Sequence, residues 1–311
     1  MEDAVDLRQL RYFLAIVEAG SITAAANDLG VAQPALSLHV KTMEETLGSK
    51  LLFRSKTGVT PTEAGLLLMQ RARTILDDLS RTVDDIRTLG TDPMGNVRIG
   101  LPGTISNIVT LPLIKALHTR FPRIQLNVAE AMSGFISDWI DEGRVDLAVL
   151  YEPSNSPRIS SKLLLEEELV VLWPHDPDRP TKTSLADLRD VPMVLPSGAH
   201  GLRGLVDRAC GALGFAPNVA LEIDSYANIK RLVEAGYGAS ILPTHAVRAE
   251  SRPGNLSISH IAPPGIWRGA WLTRPEGRPA TRAKEAVLSV TEEVIATLLT
   301  DGTWAGARRP R

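Results

Sequence analysis

From Leu7 onward the apolar residues Leu7, Leu10, Phe13, Leu14 and Val17 recur at three- and four-residue steps, which predicts an amphipathic helix that stops near Gly20. Ser21 is placed to cap a short second helix, whose Ala24-Ala25-Ala26 run lets a neighbour approach closely before the turn at Leu29-Gly30. Gln33-Pro34 opens a third helix, with proline in the first turn where its missing N–H costs nothing. Leu36, Val40, Met43 and Leu47 line its inner side, and Gly48 ends it. Leu51-Leu52-Phe53-Arg54 and Gly58-Val59-Thr60 then flank the polar tip Ser55-Lys56-Thr57, reading as two short strands and a turn, a wing.

Thr62 to Leu89 contains no glycine or proline after Gly65. Its residues Leu68, Ala72, Ile75, Leu79, Thr82, Ile86 and Leu89 alternate four- and three-residue steps, the pattern of a long helix with a two-stranded seam. The competing reading packs that stripe against the chain's own domain. Gly90-Thr91-Asp92-Pro93-Met94-Gly95 breaks the helix and forms a hinge. Beyond it, strand-like Val97–Leu101, Gln125–Ala129 and Asp146–Leu150 alternate with helical Ile105–Phe121 and Phe135–Glu142, a rhythm that implies a parallel sheet. Val191–Leu195 and Gly238–Leu242 continue it. Leu169–Trp173 reads as a crossover strand and Ile266–Thr273 as the strand that returns, giving two α/β lobes that share two crossings. The helix Ala280–Thr300 completes the first lobe, and Arg308-Arg309-Pro310-Arg311 reads as a solvated tail.

The expected organisation is therefore an all-α winged helix-turn-helix domain over residues 1–62 and a linker and dimerisation helix over 63–91. An α/β two-lobed domain follows over 92–311, with lobe I near 95–168 and 266–300 and lobe II near 169–265. A length of 311 residues supports more than one core. No apolar run approaches the roughly 18 residues of a membrane span, and the first residues lack a signal or transit pattern, so no membrane partner and a cytoplasmic location are expected. The single cysteine, Cys210, lies among Leu202, Leu205, Val206, Ala209 and Leu213 and reads as core filler. Net charge is −2 and the first 65 residues are themselves slightly acidic by count, so a case for nucleic acid must rest on local arrangement.

That arrangement exists. Gln33-Pro34-Ala35-Leu36-Ser37, the Leu47-Gly48 stop, Leu52-Phe53-Arg54 and Gly58 to Gly65 together resemble the LysR-type transcriptional regulator family over about residues 7 to 66. The element order after them resembles that family's periplasmic-binding-protein-like sensor. Gly58 to Gly65, Ile99 to Thr104 and Leu147 to Glu152 are similar to its nitrogen-assimilation-control branch. The resemblance implies a homodimer or homotetramer on double-stranded DNA, RNA polymerase as a partner, and no cofactor. A wing position that is often Arg in the family is Thr57 here, with Lys56 beside it.

A helix entering the major groove needs short polar side chains in its first turns and cations for the flanking phosphates. Gln33 and Ser37 meet the first need, with Pro34 opening the helix that presents them to the DNA, and Lys41, Arg54 and Lys56 meet the second. Each residue alone reads as a cap or a solvated charge; the constellation with the wing decides for DNA. In the sensor, ligands of open parallel sheets sit beyond the strands' carboxyl ends. Thr104 and Ser133 fall there, and Arg203 follows as a bidentate clamp, which together predict a small anionic effector. The alternative is an effector-independent regulator of the nitrogen-control type. Catalysis is the competing class, since His118, His175, His200, His245 and His260 are available, yet none stands at metal-ligand spacing. No phosphate loop, dinucleotide glycine pattern or nucleophile elbow accompanies them, so neither catalytic nor metal residues are expected. An architectural DNA binder without a ligand is the third class.

Overall fold

The computed structural model describes residues 5–55, 58–87, 92–154, 156–198, 200–248, 255–276 and 281–310, with the backbone alone at 77, 81, 84, 85 and 87. Residues up to 91 form one compact unit, and those from 92 on, apart from 142–144, form another.

In the first unit, α1 (Leu7–Ala19) starts with a reciprocal cap, Asp6 accepting from the Gln9 amide at 2.7 Å while the Gln9 side chain accepts from the Asp6 amide at 3.1 Å. Ser21 caps α2 (Ile22–Leu29), accepting from the Ala24 amide at 3.3 Å. α3 (Gln33–Leu47) carries Pro34 in its first turn and ends at Gly48. Leu10, Phe13, Leu36, Val40 and Met43 enter one core, as the spacing predicts, and Ile16 joins them. Leu7 and Leu47 are the exceptions: both are exposed, Leu7 in the first turn of α1 and Leu47 in the last turn of α3, which runs past that core. Buried Glu44 supplies what holds this end instead, accepting from the Leu51 amide at 3.0 Å and from Lys50 Nζ at 2.7 Å. Burial works to raise its pKa, but Lys50 and the amides of Leu51 and Leu52 outweigh burial and hold it low.

Strands β1 (Leu52–Ser55) and β2 (Gly58–Pro61) pair antiparallel from Leu52↔Pro61 to Ser55↔Gly58, forming the expected wing; its tip residues Lys56 and Thr57 lie outside the described residues. Thr62 then joins wing to helix. Its hydroxyl donates to the Lys50 carbonyl at 2.6 Å and accepts from the Gly65 amide at 3.0 Å, capping α4 (Glu63–Arg87). The seam predicted along α4 divides. Ala72 is fully buried and Leu68 packs against the same first-unit core, with Met69 and Leu76 beside them, whereas Ile75 and Ile86 are exposed. The reason is length: Ile86 lies five full turns beyond Leu68 on the same helix face, where α4 has run past the core that Leu68, Ala72 and Leu76 pack against. Leu89 lies outside the described residues.

In the second unit, β3 (Gly95–Pro102), β4 (Ile124–Ala131) and β5 (Leu147–Leu150) run parallel, with β3 central. α5 (Gly103–Arg120) and α6 (Ser133–Asp141) make the crossovers. β6 (Ile159–Pro174) is longer than its crossover segment suggested. Its partners are the short β7 (Lys182–Thr183) by way of β11 (Leu256–Ile261), and the returning β12 (Ile266–Pro275), in the order β4-β3-β5-β12-β6-β11-β7. Leu165, Ala270 and Leu272 enter the core of lobe I, while Leu169–Trp173 and Ile266 enter that of lobe II, so β6 and β12 belong to both.

Lobe II adds a parallel pair, β8 (Met193–Leu195) and β9 (Val219–Glu222), with α7 (Gly201–Gly211) and α8 (Tyr226–Glu234). β10 (Ser240–Pro243) does not simply extend a parallel order: it pairs antiparallel with β6, and a parallel bridge from Met193 to Ala239 joins β8 just ahead of it. α9 (Thr244–Arg248) follows. Cys210 is buried in this core and burial pushes its thiol up to about 11, as befits filler. α10 (Arg282–Thr300) turns Val287, Val290, Val294 and Leu298 into lobe I. The expected solvated tail is corrected at its start. Trp304 is buried in lobe I and β13 (Ala307–Arg308) pairs with β6 at Glu166 and Glu167. Arg308 Nε reaches Glu166 at 2.9 Å, and its guanidinium lies 3.6 Å over the Trp267 ring, so an aromatic anchor and a carboxylate hold what charge counting alone left in water.

Candidate functional site

Two places carry chemistry, one in each unit. In the first, burying Leu36, Val40 and Met43 turns Gln33, Pro34, Ala35, Leu38, Lys41 and Thr42 outward on α3. Ala32 begins the helix with no side-chain cap; Pro34 has no N–H and the Ala35 amide bonds back to the Ala32 carbonyl at 3.0 Å, so the Gln33 amide is the first-turn donor left for an anion such as a DNA phosphate. Gln33 Nε2 donates to Ser37 Oγ at 3.0 Å, which holds both predicted base readers in one place. Lys41 lies 3.5 Å from Glu45, but both are well exposed, so that pair is weak and the ammonium remains available to a phosphate. Arg54 is exposed on β1 in the wing. Lys56 lies outside the described residues. Sequence reasoning missed Leu38 and Thr42 on the same face; their helical offset from Pro34 and Ala35 was the available signal.

In the second unit a cavity of about 760 Å³ opens between the lobes. Thr104 and Ser133 line it from lobe I with Tyr151; His200, Tyr226 and Lys230 line it from lobe II. Thr104 is buried at the start of α5, and its hydroxyl makes a close hydrogen bond with that of Tyr151. Its carbonyl accepts from His245 Nε2 at 3.2 Å, a bond from lobe II to lobe I. Ser133 begins α6. Arg203 is not in the cavity. Its Nε bonds Asp207 at 2.9 Å and its Nη1 bonds Glu222 at 2.7 Å, so two carboxylates of lobe II have already claimed the predicted clamp. Lys230 Nζ donates to the Ala246 carbonyl at 2.9 Å.

His200 accepts the Leu202 amide on Nδ1 at 3.2 Å, which leaves the proton on Nε2, 3.4 Å from the Tyr226 hydroxyl. Burial, then the charge of Arg268, lowers its pKa, so it is neutral near pH 7. Behind this wall lies a buried polar cluster that no sequence reading had assembled. Glu167 on β6 pairs with Arg268 Nε on β12, accepts from Trp304 Nε1 at 3.1 Å, and faces His245 Nδ1 at 3.2 Å. The Arg268 guanidinium stacks 3.4 Å from the centre of the Tyr151 ring. Burial pushes the Glu167 carboxyl up, but Arg268 first and His245 next pull it down to about 2. The available signal was three consecutive carboxylates, Glu166-Glu167-Glu168, between the apolar runs Leu163–Leu165 and Leu169–Trp173. Among the described residues no group of acidic, His or Cys side chains is arranged to hold a metal.

Comparison with known proteins bears on both places. The family described as "Bacterial regulatory helix-turn-helix protein, lysR family" matches residues 7–66, and "LysR substrate binding domain" matches residues 90–296. The chain is 32% identical to the nitrogen assimilation regulatory protein nac of Escherichia coli K12, over 94% of this chain and 96% of that one. A full-length single-residue variant of OxyR from Pseudomonas aeruginosa superposes with a TM-score of 0.73 at 24% identity, covering 94% of this chain and 97% of that chain. Full-length CbnR complexed with its target DNA gives 0.69 at 23% identity, covering 94% and 99%. At these identities the two solved structures speak to the fold.

Proposed function

The chain belongs to the LysR family of DNA-binding transcriptional regulators, on its nac-like branch, and is not an enzyme; from that premise we propose how its parts divide the work. α3 enters the major groove, with Gln33 and Ser37 at base edges and Lys41, Arg54 and Lys56 on phosphates. The observation that carries this is the outward, uncapped start of α3 in a unit that also builds a wing. Exposed Ile75, Val83 and Ile86 on α4 form the contact with a second copy, so that an even-numbered oligomer binds an interrupted inverted repeat in the cytoplasm and meets RNA polymerase there. Lys41→Ala and Arg54→Ala are expected to weaken cognate and random DNA alike and to lower the salt slope, each by about one unit. Gln33→Ala changes base preference by ~1–3 kcal/mol per lost contact instead. Fluorescence anisotropy against salt checks the division; equal losses for Gln33→Ala on cognate and random DNA would refute it.

The cavity between the lobes holds a small effector against Thr104 and Ser133. A carboxylate oxygen of Glu130 would come 3.1 Å from a Cβ placed on Gly103, so an acidic group already stands beside the start of α5. The anionic part of the effector therefore sits at the start of α6, on Ser133. The size of the cavity supports this reading over effector-independent control. Ser133→Ala is expected to weaken effector binding several-fold by calorimetry, at the ~1 kcal/mol typical of a neutral hydrogen bond, while Arg203→Ala leaves it unchanged. Loss of affinity in Arg203→Ala with none in Ser133→Ala would move the site.

A further inference from the structure

Leu38 stands 62% exposed in the middle of α3. It lies one turn beyond Pro34 and Ala35 and one turn before Lys41 and Thr42, all exposed, so the five form one stripe at steps of three and four. The fold gains nothing from leucine there, because Leu36, Val40 and Met43 supply the buried side of the helix. Along the first half of the stripe the surface is apolar, and the adjoining Gln33 and Ser37 are bonded to each other at 3.0 Å. On a face that enters the major groove, a leucine has one apolar feature to meet on the base edges, the C5-methyl of thymine; the other groups there are hydrogen-bond donors and acceptors.

We propose that Leu38 is a specificity residue that reads thymine through its methyl group, packing against it where Gln33 or Lys41 reads or holds by hydrogen bonds. The proposal rests on the docking of α3 described above. In the free protein Leu38 is wetted; against a thymine methyl both groups leave water, and the gain is lost at any other base. Its stripe is continuous with the predicted phosphate contact of Lys41, so the apolar patch belongs to the DNA face rather than to a separate surface.

The test uses the full-length chain. Duplexes selected by it from a random pool are resynthesised with each thymine in turn replaced by deoxyuridine, which removes only the methyl. At one or two positions per half-site the replacement is expected to weaken binding about fourfold, the value of one buried methyl. Leu38→Ala is expected to bind the parent duplex more weakly and to be indifferent to the replacement at those positions. Leu38→Gln, selected afresh, is expected to exchange thymine for adenine there, since glutamine pairs bidentately with adenine. Wild-type affinity unchanged by deoxyuridine at every position overturns the proposal, as does a Leu38→Ala chain that keeps full methyl sensitivity. A changed oligomeric mass for Leu38→Ala overturns it too, by making this face a contact between copies. If Lys41→Ala and Gln33→Ala also leave affinity and base preference untouched, the docking of α3 itself fails, and the two failures are thereby told apart.

Discussion

Glu167→Ala is expected to destabilise the second unit by about 3–5 kcal/mol, the cost of leaving a buried charge without its partner. At the ~2–4 °C per kcal/mol usual for a domain of about 200 residues, its melting temperature falls by roughly 6–20 °C. Glu167 accepts from Arg268 Nε and from Trp304 Nε1 at 3.1 Å, and stands 3.2 Å from His245 Nδ1. Removing it strands a guanidinium whose side chain is 4% exposed. Replacing Glu167 and Arg268 together by apolar residues of similar volume is expected to recover most of the loss, since no buried charge then remains. Acid titration gives a second readout. Folded Glu167 titrates near 2, against an ordinary value near 4.5, so between those pH values the unfolded chain takes up the proton first. Its stabilisation is therefore complete above pH 4.5 and is lost as pH falls through the folded value near 2. Glu167→Gln, followed by circular dichroism melts from pH 6 down to pH 2.5, is expected to show a shallower loss on acidification; an acid slope equal to the wild type's would mean that the cluster is not held by this carboxylate.

Gly65→Ala is expected to cost the first unit about 3 kcal/mol or more and to abolish DNA binding at moderate protein concentration. A Cβ on Gly65 would lie 2.1 Å from the Leu51 carbonyl oxygen, which is backbone and cannot swing aside. The clash falls on the joint where Thr62 ties the wing to α4, through the Lys50 carbonyl and the Gly65 amide. The wing would have to leave the core or α4 give up its cap. Gly211→Ala is the matched control: nothing lies within 4 Å of a methyl placed there, so the change is expected to be neutral or slightly stabilising. Hydrogen exchange resolved to each unit, with anisotropy on selected DNA, measures both; full first-unit protection and full affinity in Gly65→Ala would contradict the packing at that joint.

The first unit was legible because its punctuation is local. Ser21, Pro34, Gly20, Gly30 and Gly48 mark helix ends within a few residues of where they act, and the 3.6 period reports which face is inside. The same locality explains the error at Arg203. Its position after a strand end was read correctly, but Asp207, four residues on and on the same helix face, was a visible claimant, and Glu222 closed the clamp from a strand that only the fold brings near. The Glu167–Arg268 pair joins residues 101 apart through the register of β6 on β12, which no window of sequence contains. The tail failed for a related reason: Arg308, scored by charge alone, pairs with Glu166 of β6, and Trp304 just ahead of it docks on Glu167, so both depend on a strand laid down long before them.

That last feature sets a timetable for synthesis. The first unit draws its core from a continuous stretch ending by Leu76, so it is able to fold as soon as that stretch clears the ribosome. Lobe I cannot do the same. Its core takes Leu272 and Val294 besides Val97, and the buried carboxylate of Glu167 waits for Trp304 before its last donor arrives. At the usual ~5–20 residues per second, the nascent chain carries an assembled DNA-reading head for tens of seconds before its sensor closes. A messenger cut short by even a few codons before Trp304 would therefore release a chain able to occupy DNA but missing the residue that finishes its switch.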